Sequence, residues 1–255
     1  MEPPDDDRPR SILRRKRLLA ACRDDALSRK QLTERTDLSR TTVYRATVAL
    51  EEGGLLENTG EGYRTTSLGA ALLAAGRTYE TAVESIGRLE PLLELVDHPA
   101  LVEHAHLFTG AEVVVADASN PYRVVDHVID RFGETSGSRG TIVSTTAVEA
   151  LQRATPALED RGHIERVFAA SALESHETVG GEAFRAVTAN ENLSILAAPD
   201  ADVPFSFAID DADVSVVGHD PATGLPTVHV ESDRPAARAW LEALYERCRA
   251  AAEPI

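Results

Sequence analysis

The sequence predicts an α+β chain of two modules, a small helical one closed by a hairpin and a larger one built on a mixed sheet. Three observations carry this. Residues 12–66 run through three short segments of helical period and then break into two strand-like runs around a turn. Residues 67–106 stay mostly helical, and from about Leu107 apolar β-type runs alternate with amphipathic stretches. At 255 residues and 43% hydrophobic content, the chain can give each module its own core. The expected domains are 1–66, a helical linker or dimerisation segment at 67–106, and 107–255.

The first expected helix, Ile12 to Arg23, places Ile12, Leu13, Leu18, Leu19 and Cys22 on a helical period, with Arg14, Arg15, Lys16 and Arg17 between them. Ser28 followed by Gln31 has capping-box spacing and opens a second helix that ends near Thr36-Asp37. Ser39 can cap a third, through Glu52, whose apolar side is Val43, Ala46, Thr47 and Leu50. Arg40, Thr41, Tyr44 and Arg45 fall on its other side. Gly53-Gly54 stops that helix. The runs 55–58 and 62–66 around Thr59-Gly60-Glu61 then read as a two-stranded wing.

The succession from Gln31-Leu32 through Leu38-Ser39-Arg40-Thr41-Thr42-Val43-Tyr44-Arg45 to Leu50-Glu51-Glu52-Gly53-Gly54-Leu55-Leu56 resembles the winged helix-turn-helix regulators of bacteria and archaea. That resemblance implies a helix that enters the major groove of double-stranded DNA and a wing that touches backbone or minor groove. It implies base contacts from Arg40, Thr41, Thr42, Tyr44 and Arg45, and a phosphate or minor-groove contact from Arg64. The competing reading of the same surface is a protein-interaction adaptor.

The charge runs against a DNA ligand, since the formal net charge is −16. Its distribution is uneven. Residues 1–64 hold 13 Lys and Arg against 12 Asp and Glu, and the rest hold 13 against 30. Only Lys16 and Lys30 are lysines, and such an acidic, lysine-poor surface suits the high-salt cytoplasm of a halophilic archaeon; the alternative is an ordinary acidic protein of a bacterium with a GC-rich genome. No apolar signal core or membrane-length stretch appears, so a cytoplasmic location is expected. Cys22 and Cys248 form no metal-ligand or disulfide spacing.

In the linker, Leu72, Tyr79, Ile86 and Leu93 recur every seven residues, a seam suited to pairing two subunits or to packing on its own domain. Gly69, Gly76, Gly87 and Pro91 argue against one rigid rod, with Pro91 opening a second segment. A homodimer is expected, as regulators commonly read two half-sites.

Beyond Leu107, strands are expected at Glu112–Ala116, Thr141–Ser144, Ile164–Ala169 and Leu193–Ala197, with helices at Pro121–Phe132, Ala147–Arg161 and Gly181–Thr188 between them. This alternation implies a mainly parallel sheet. Residues 133–140, glycine-rich, read as a loop. Antiparallel strands follow at Phe205–Ile209, Val214–Gly218 and Thr227–Val230, and a helix from Arg234 to Ala252 closes the domain.

This element order, the Ile209-Asp210-Asp211 turn and the helix around Trp240-Leu241-Glu242-Ala243-Leu244-Tyr245-Glu246-Arg247 resemble the archaeal regulator family named for a methanogen filament-forming regulator and known for its middle domain. They are also similar to the sugar-sensing domain of TrmB-type archaeal regulators. The latter implies a phospholipase D-like fold, here without that fold's catalytic His-x-Lys pair, because no lysine follows Lys30.

No enzyme signature emerges, as a GxSxG elbow and a dinucleotide fingerprint are both missing. A hydrolase with a DNA-binding appendage is the enzymatic alternative. No cofactor is expected. His104-Ala105-His106 is the one close histidine pair, and His127 shares its helix with Asp126 and Asp130; neither arrangement places a third ligand, and no metal site is assigned. A small polar effector has candidate contacts at the expected strand ends: Ser119 and Asn120, Ser144 and Thr145, and Ser171. The same residues also read as N-caps of the following helices.

Overall fold

A computed structural model describes residues 8–135, 137–144 and 163–255. Contacts divide the chain into two compact units, residues 1–82 and 83–255. The expected helix Ala147–Arg161 lies outside the described residues, as does Thr145.

In the first unit, helices α1 (Arg8–Ala21), α2 (Arg29–Thr36) and α3 (Arg40–Glu52) precede a hairpin of β1 (Leu56–Asn58) and β2 (Tyr63–Thr65). The predicted capping box is present: Gln31 N–H donates to Ser28 Oγ (3.4 Å) and Ser28 N–H donates to Gln31 Oε1 (2.9 Å). Between α2 and α3 the backbone turns through Asp37 in the left-handed region, φ 56°. Ser39 Oγ accepts from Thr42 N–H and starts α3. Leu18, Leu19, Leu32, Val43, Leu50 and Leu56 form the buried centre. Leu27 bridges to Tyr63, adding a third strand segment to the wing. Gly62 permits that bridge, because a Cβ there would stand 2.6 Å from the Leu27 carbonyl carbon.

Helix α4 (Ser67–Arg88) runs unbroken through Gly69, Gly76 and Gly87, and α5 (Glu90–Leu95) opens with Pro91 in its first turn. The expected heptad seam divides in kind. Leu72 packs on the first core, Ile86 and Leu93 on the second unit's core, and Tyr79 and Val83 are exposed. No helix among the described residues is long and apolar enough to cross a membrane.

The second unit continues with α6 (Pro99–His104), β3 (Glu112–Val115), α7 (Arg123–Glu134), β4 (Gly137–Ile142), β5 (His163–Ala169), α8 (Ala170–Thr188), β6 (Leu193–Ala198), β7 (Ser206–Asp210), β8 (Val214–His219), β9 (Pro226–Ser232), α9 (Pro235–Ala250) and β10 (Glu253–Pro254). Its eight strands lie in the order β10-β6-β5-β4-β7-β8-β9-β3. The sheet is mixed, and among the described residues only β4–β5 and β5–β6 pair in parallel. This corrects the mainly parallel expectation: β3 does not join the parallel group but pairs antiparallel with β9 at the far edge, because the β7-β8-β9 meander fills the space between.

Two further expectations are corrected. Residues 137–140 are strand and not loop. Gly140 is needed because β7 approaches so closely that a Cβ would meet Phe207 O at 2.0 Å, so the glycine marks a tight strand pairing. The helix expected at Gly181–Thr188 begins eleven residues earlier at Ala170, with Gly181 (φ 45°, ψ −111°) as a kink inside it.

Strand register sorts the side chains onto two faces. One carries Phe207, Ile209, Val214, Val216, Val228 and Val230 and packs against α5 and α9. The other carries Ser138 of β4, Arg166 of β5, Ser206 and Asp210 of β7, Ser215 of β8, and His229 and Glu231 of β9; α7 and α8 lie over it.

Candidate nucleic-acid interface

Helix α3 offers its polar side to solvent while Val43, Ala46, Thr47 and Leu50 are buried. Arg40, Thr41, Thr42, Tyr44 and Arg45 are all exposed, as is Arg64 on β2. An open groove of about 620 Å³ runs between α2 and α3, lined by Arg29, Lys30, Thr33, Arg40, Thr41 and Tyr44. It brings together three of the expected contacts, Arg40, Thr41 and Tyr44. Arg45 and Arg64 lie outside it, and the Thr42 hydroxyl sits 2.8 Å from Ser39 Oγ as part of the helix cap.

Arg29 organises this surface. Its Nε donates to Thr47 Oγ1 (3.1 Å), and its guanidinium lies 4.6 Å from the Tyr44 ring centroid and 5.1 Å from that of Tyr63. The half-exposed Tyr44 of α3 and the buried Tyr63 of the wing therefore share one cation. Arg29, Lys30 and Thr33 were not legible as site residues from periodicity. Two adjacent cations directly after the Ser28 cap, one of them among only two lysines in the chain, were the available signal.

Two other cations of this unit are engaged by acids. Lys16 pairs with Glu80, and Arg35 approaches Asp25 at 3.9 Å. Among the described residues, Arg29, Lys30, Arg40, Arg45 and Arg64 make no ion pair, which leaves them for an anionic surface. Burial pushes the thiols of Cys22 and Cys248 up to about 11, so neither is a nucleophile near neutral pH.

The residues expected to hold a small effector do not converge. The Ser119 hydroxyl and the backbone N–H groups of Ser119 and Asn120 (2.8 and 3.1 Å) donate to Asp117 Oδ1, closing a surface turn and holding the Asp117 carboxyl below the usual range. They do not cap α7, which starts at Arg123 without a side-chain cap. Ser144 is buried; its hydroxyl donates to Gly224 O (2.7 Å), and its carbonyl lies 2.9 Å from His176 Nε2. Ser171 N–H donates to Asp200 Oδ1 (3.0 Å) at the start of α8. Ser144 and Ser171 follow adjacent parallel strands. The Asp117 turn follows β3, four strand spacings from β4 or about 19 Å, too far to share one small ligand with them.

A winged helix with an arginine-lined outer helix, followed in the chain by an α/β unit, defines the class: a two-module regulator. The profile of the HVO_A0261 N-terminal domain matches residues 7–88. The chain belongs to the family defined by the middle domain of the methanogenesis regulatory protein FilR1, whose profile matches residues 121–251, just over half of its length. No curated protein matches the sequence.

Among solved structures, the archaeal chromatin protein TrmBL2, described as showing a novel mode of DNA binding, is similar at 15% identity over 93% of this chain and 91% of that one, with a TM-score of 0.43. NucT from Helicobacter pylori is similar at 9% identity over 57% of this chain and 98% of that one, with a TM-score of 0.45. A transcriptional regulator from Rhodococcus sp. RHA1 is similar at 15% identity over 94% and 96%, with a TM-score of 0.27. Likenesses this low do not bear on function.

Proposed function

We propose that the chain is a homodimeric, sequence-specific DNA-binding transcription regulator. The observation that carries the DNA reading is the unpaired cationic face of α2 and α3: Arg29, Lys30 and Arg40 along one groove, with Arg45 and Arg64 beside it. Such a surface matches a duplex, with α3 in the major groove, α2 across the backbone and Arg64 reaching the flanking strand. Because the cations are few, base contacts and shape must supply much of the affinity.

The test is binding of the full chain to duplexes selected from a random pool, measured in molar KCl. Arg40→Ala and Arg45→Ala should each weaken binding by about tenfold or more, in line with 1–3 kcal/mol per specific base contact. Wild-type affinity in both single variants and in the double variant would overturn the recognition-helix assignment. Dimerisation is supported by the exposed Tyr79 and Val83, one helical turn apart on α4. Tyr79→Arg with Val83→Arg should shift sedimentation equilibrium toward monomer; an unaltered dimer would place the interface elsewhere.

A further inference from the structure

The polar face of the large sheet gathers ligating side chains that lie far apart in the sequence. His229 and Glu231 alternate on β9 and so point to the same side, toward α7. From α7, His127 and Arg131 project one helical turn apart onto them. The ring centroids of His127 and His229 are 4.9 Å apart, at an interplanar angle of 67°. One ligand atom from each of His127, His229 and Glu231 can be chosen so that all three lie within 4.8 Å of one another.

The hydrogen bonding of this group is incomplete. His127 Nε2 and His229 Nδ1 are buried and have no hydrogen-bond partner among the described residues. His229 is only 4% exposed. The nearest carboxylate oxygen to His127 Nε2, Glu231 Oε2, is 3.8 Å away, beyond hydrogen-bonding distance. Glu231 is itself held in place: Arg131 Nη2 forms an ion pair with its Oε1 (2.9 Å) and donates a hydrogen bond to Asp213 Oδ2 (2.7 Å). Glu112 of β3 lies directly across from Glu231, so acids outnumber the single guanidinium around the cluster.

Two unpartnered imidazole nitrogens and one carboxylate, set close together beside further acids, match the ligand preferences of a late first-row divalent cation. Alkaline-earth ions favour all-oxygen sites and fit poorly. We propose that His127, His229 and Glu231 form a zinc-type metal site, with Arg131 as the residue that positions Glu231. Zinc bonds of 2.0–2.2 Å need the three atoms to close to roughly 3.4 Å, a shift of about 1 Å within reach of side-chain adjustment. Three protein ligands leave a coordination position for solvent or an exogenous ligand. Zinc binding is an intrinsic property of the second unit and stands whether or not the first unit binds DNA.

The test uses the full chain, stripped with chelator and titrated with zinc chloride by calorimetry and with cobalt chloride by visible absorption. The expected result is one equivalent of zinc at micromolar affinity or tighter, with d–d bands of low-coordinate cobalt. His229→Gln should weaken zinc at least 100-fold and His127→Gln at least tenfold, while Asp126→Asn, exposed on the same helix, and His104→Gln, at the other histidine pair, should leave it unchanged. If His229→Gln does not fold by circular dichroism, His127→Gln, on a half-buried helix position, decides. Failure to bind stoichiometric zinc, wild-type affinity in the folded His127 and His229 variants, or loss of binding on His104→Gln would overturn the site.

Discussion

The two faces of the eight-stranded sheet solve different problems with the same strands. On the α5 and α9 side, register stacks Phe207, Ile209, Val214, Val216, Val228 and Val230 into an apolar layer that needs no partner beyond close contact. The opposite side is divided: Ser138, Arg166, Asp210, Ser215, His229 and Glu231 make a polar layer on β4, β5, β7, β8 and β9, while Ile142, Ile164, Phe168, Leu193 and Ile195 pack with Leu173 and Phe184 of α8 as a smaller apolar cluster. A buried polar layer is stable only if its groups satisfy one another, and here they do so incompletely. The difference teaches that close packing holds the first face throughout, while the second combines a smaller apolar cluster under α8 with the buried polar groups that carry chemical specificity.

The sharpest test of that division is truncation on the apolar face. Phe207→Ala should cost about 3–5 kcal/mol by urea denaturation, since it removes a fully buried ring from the centre of the layer. A loss under about 1 kcal/mol would break the comparison. Next in size is the polar face's buried cation. Arg166 Nη2 donates to Ser138 Oγ (2.7 Å) and Nη1 to Glu165 O (3.0 Å), and burial pulls the guanidinium down to about 10, still charged at neutral pH. Arg166→Met should cost about 3 kcal/mol because it removes one of the two positive charges, with Arg131, that face Asp210, whose Oδ1 is buried, and Asp210→Asn added to it should recover part of the loss. Strict additivity in this double-mutant cycle would show that the two groups do not communicate.

A smaller effect is expected with pH. Burial holds His219 down at about 4 and lowers His176 as well, so the unfolded chain takes up protons first as pH falls below the ordinary histidine value. Stability contributed by the neutral rings is fully present above about pH 6.5 and is lost on acidification, by up to about 1.4 kcal/mol per pH unit for each ring until it titrates in the folded state. His219→Gln should flatten that acid limb in denaturation midpoints measured from pH 7 to pH 5. The smallest effect belongs to Ser215→Ala, expected within about 1 kcal/mol, because a small hydroxyl on the polar face has apolar replacements of similar size.

What the sequence disclosed depended on how local the cause was. The Ser28–Gln31 box, the Ser39 cap, the Pro91 restart and the β7-β8-β9 meander are set within a few residues, and each is found where periodicity and turn chemistry put it. Gly140 misled, because a glycine near others reads as a loop and the reason for it is the backbone of β7, far along the chain. In the sequence His127 stands with Asp126 and Asp130 on its own helix, whereas its neighbours in space are two residues of β9 about a hundred positions later. At the candidate interface Arg40, Thr41 and Tyr44 followed from helical phase. Arg29 did not, since its importance comes from rings at Tyr44 and Tyr63 that only the fold brings over it.

The Arg29 clamp also sets a trade in the entropy and ion balance of binding. A guanidinium already held between two rings and a threonine hydroxyl has surrendered its rotamer freedom during folding, so docking the outer helix and the wing on a duplex incurs less ordering at that moment. The same restraint keeps Arg29 from following a phosphate as a free side chain would, so it should contribute less than one full ion to the salt dependence of affinity. On the proposed reading of α3 as a DNA-recognition helix, a cation fixed in place by its neighbours keeps its contribution to shape as added salt screens charge.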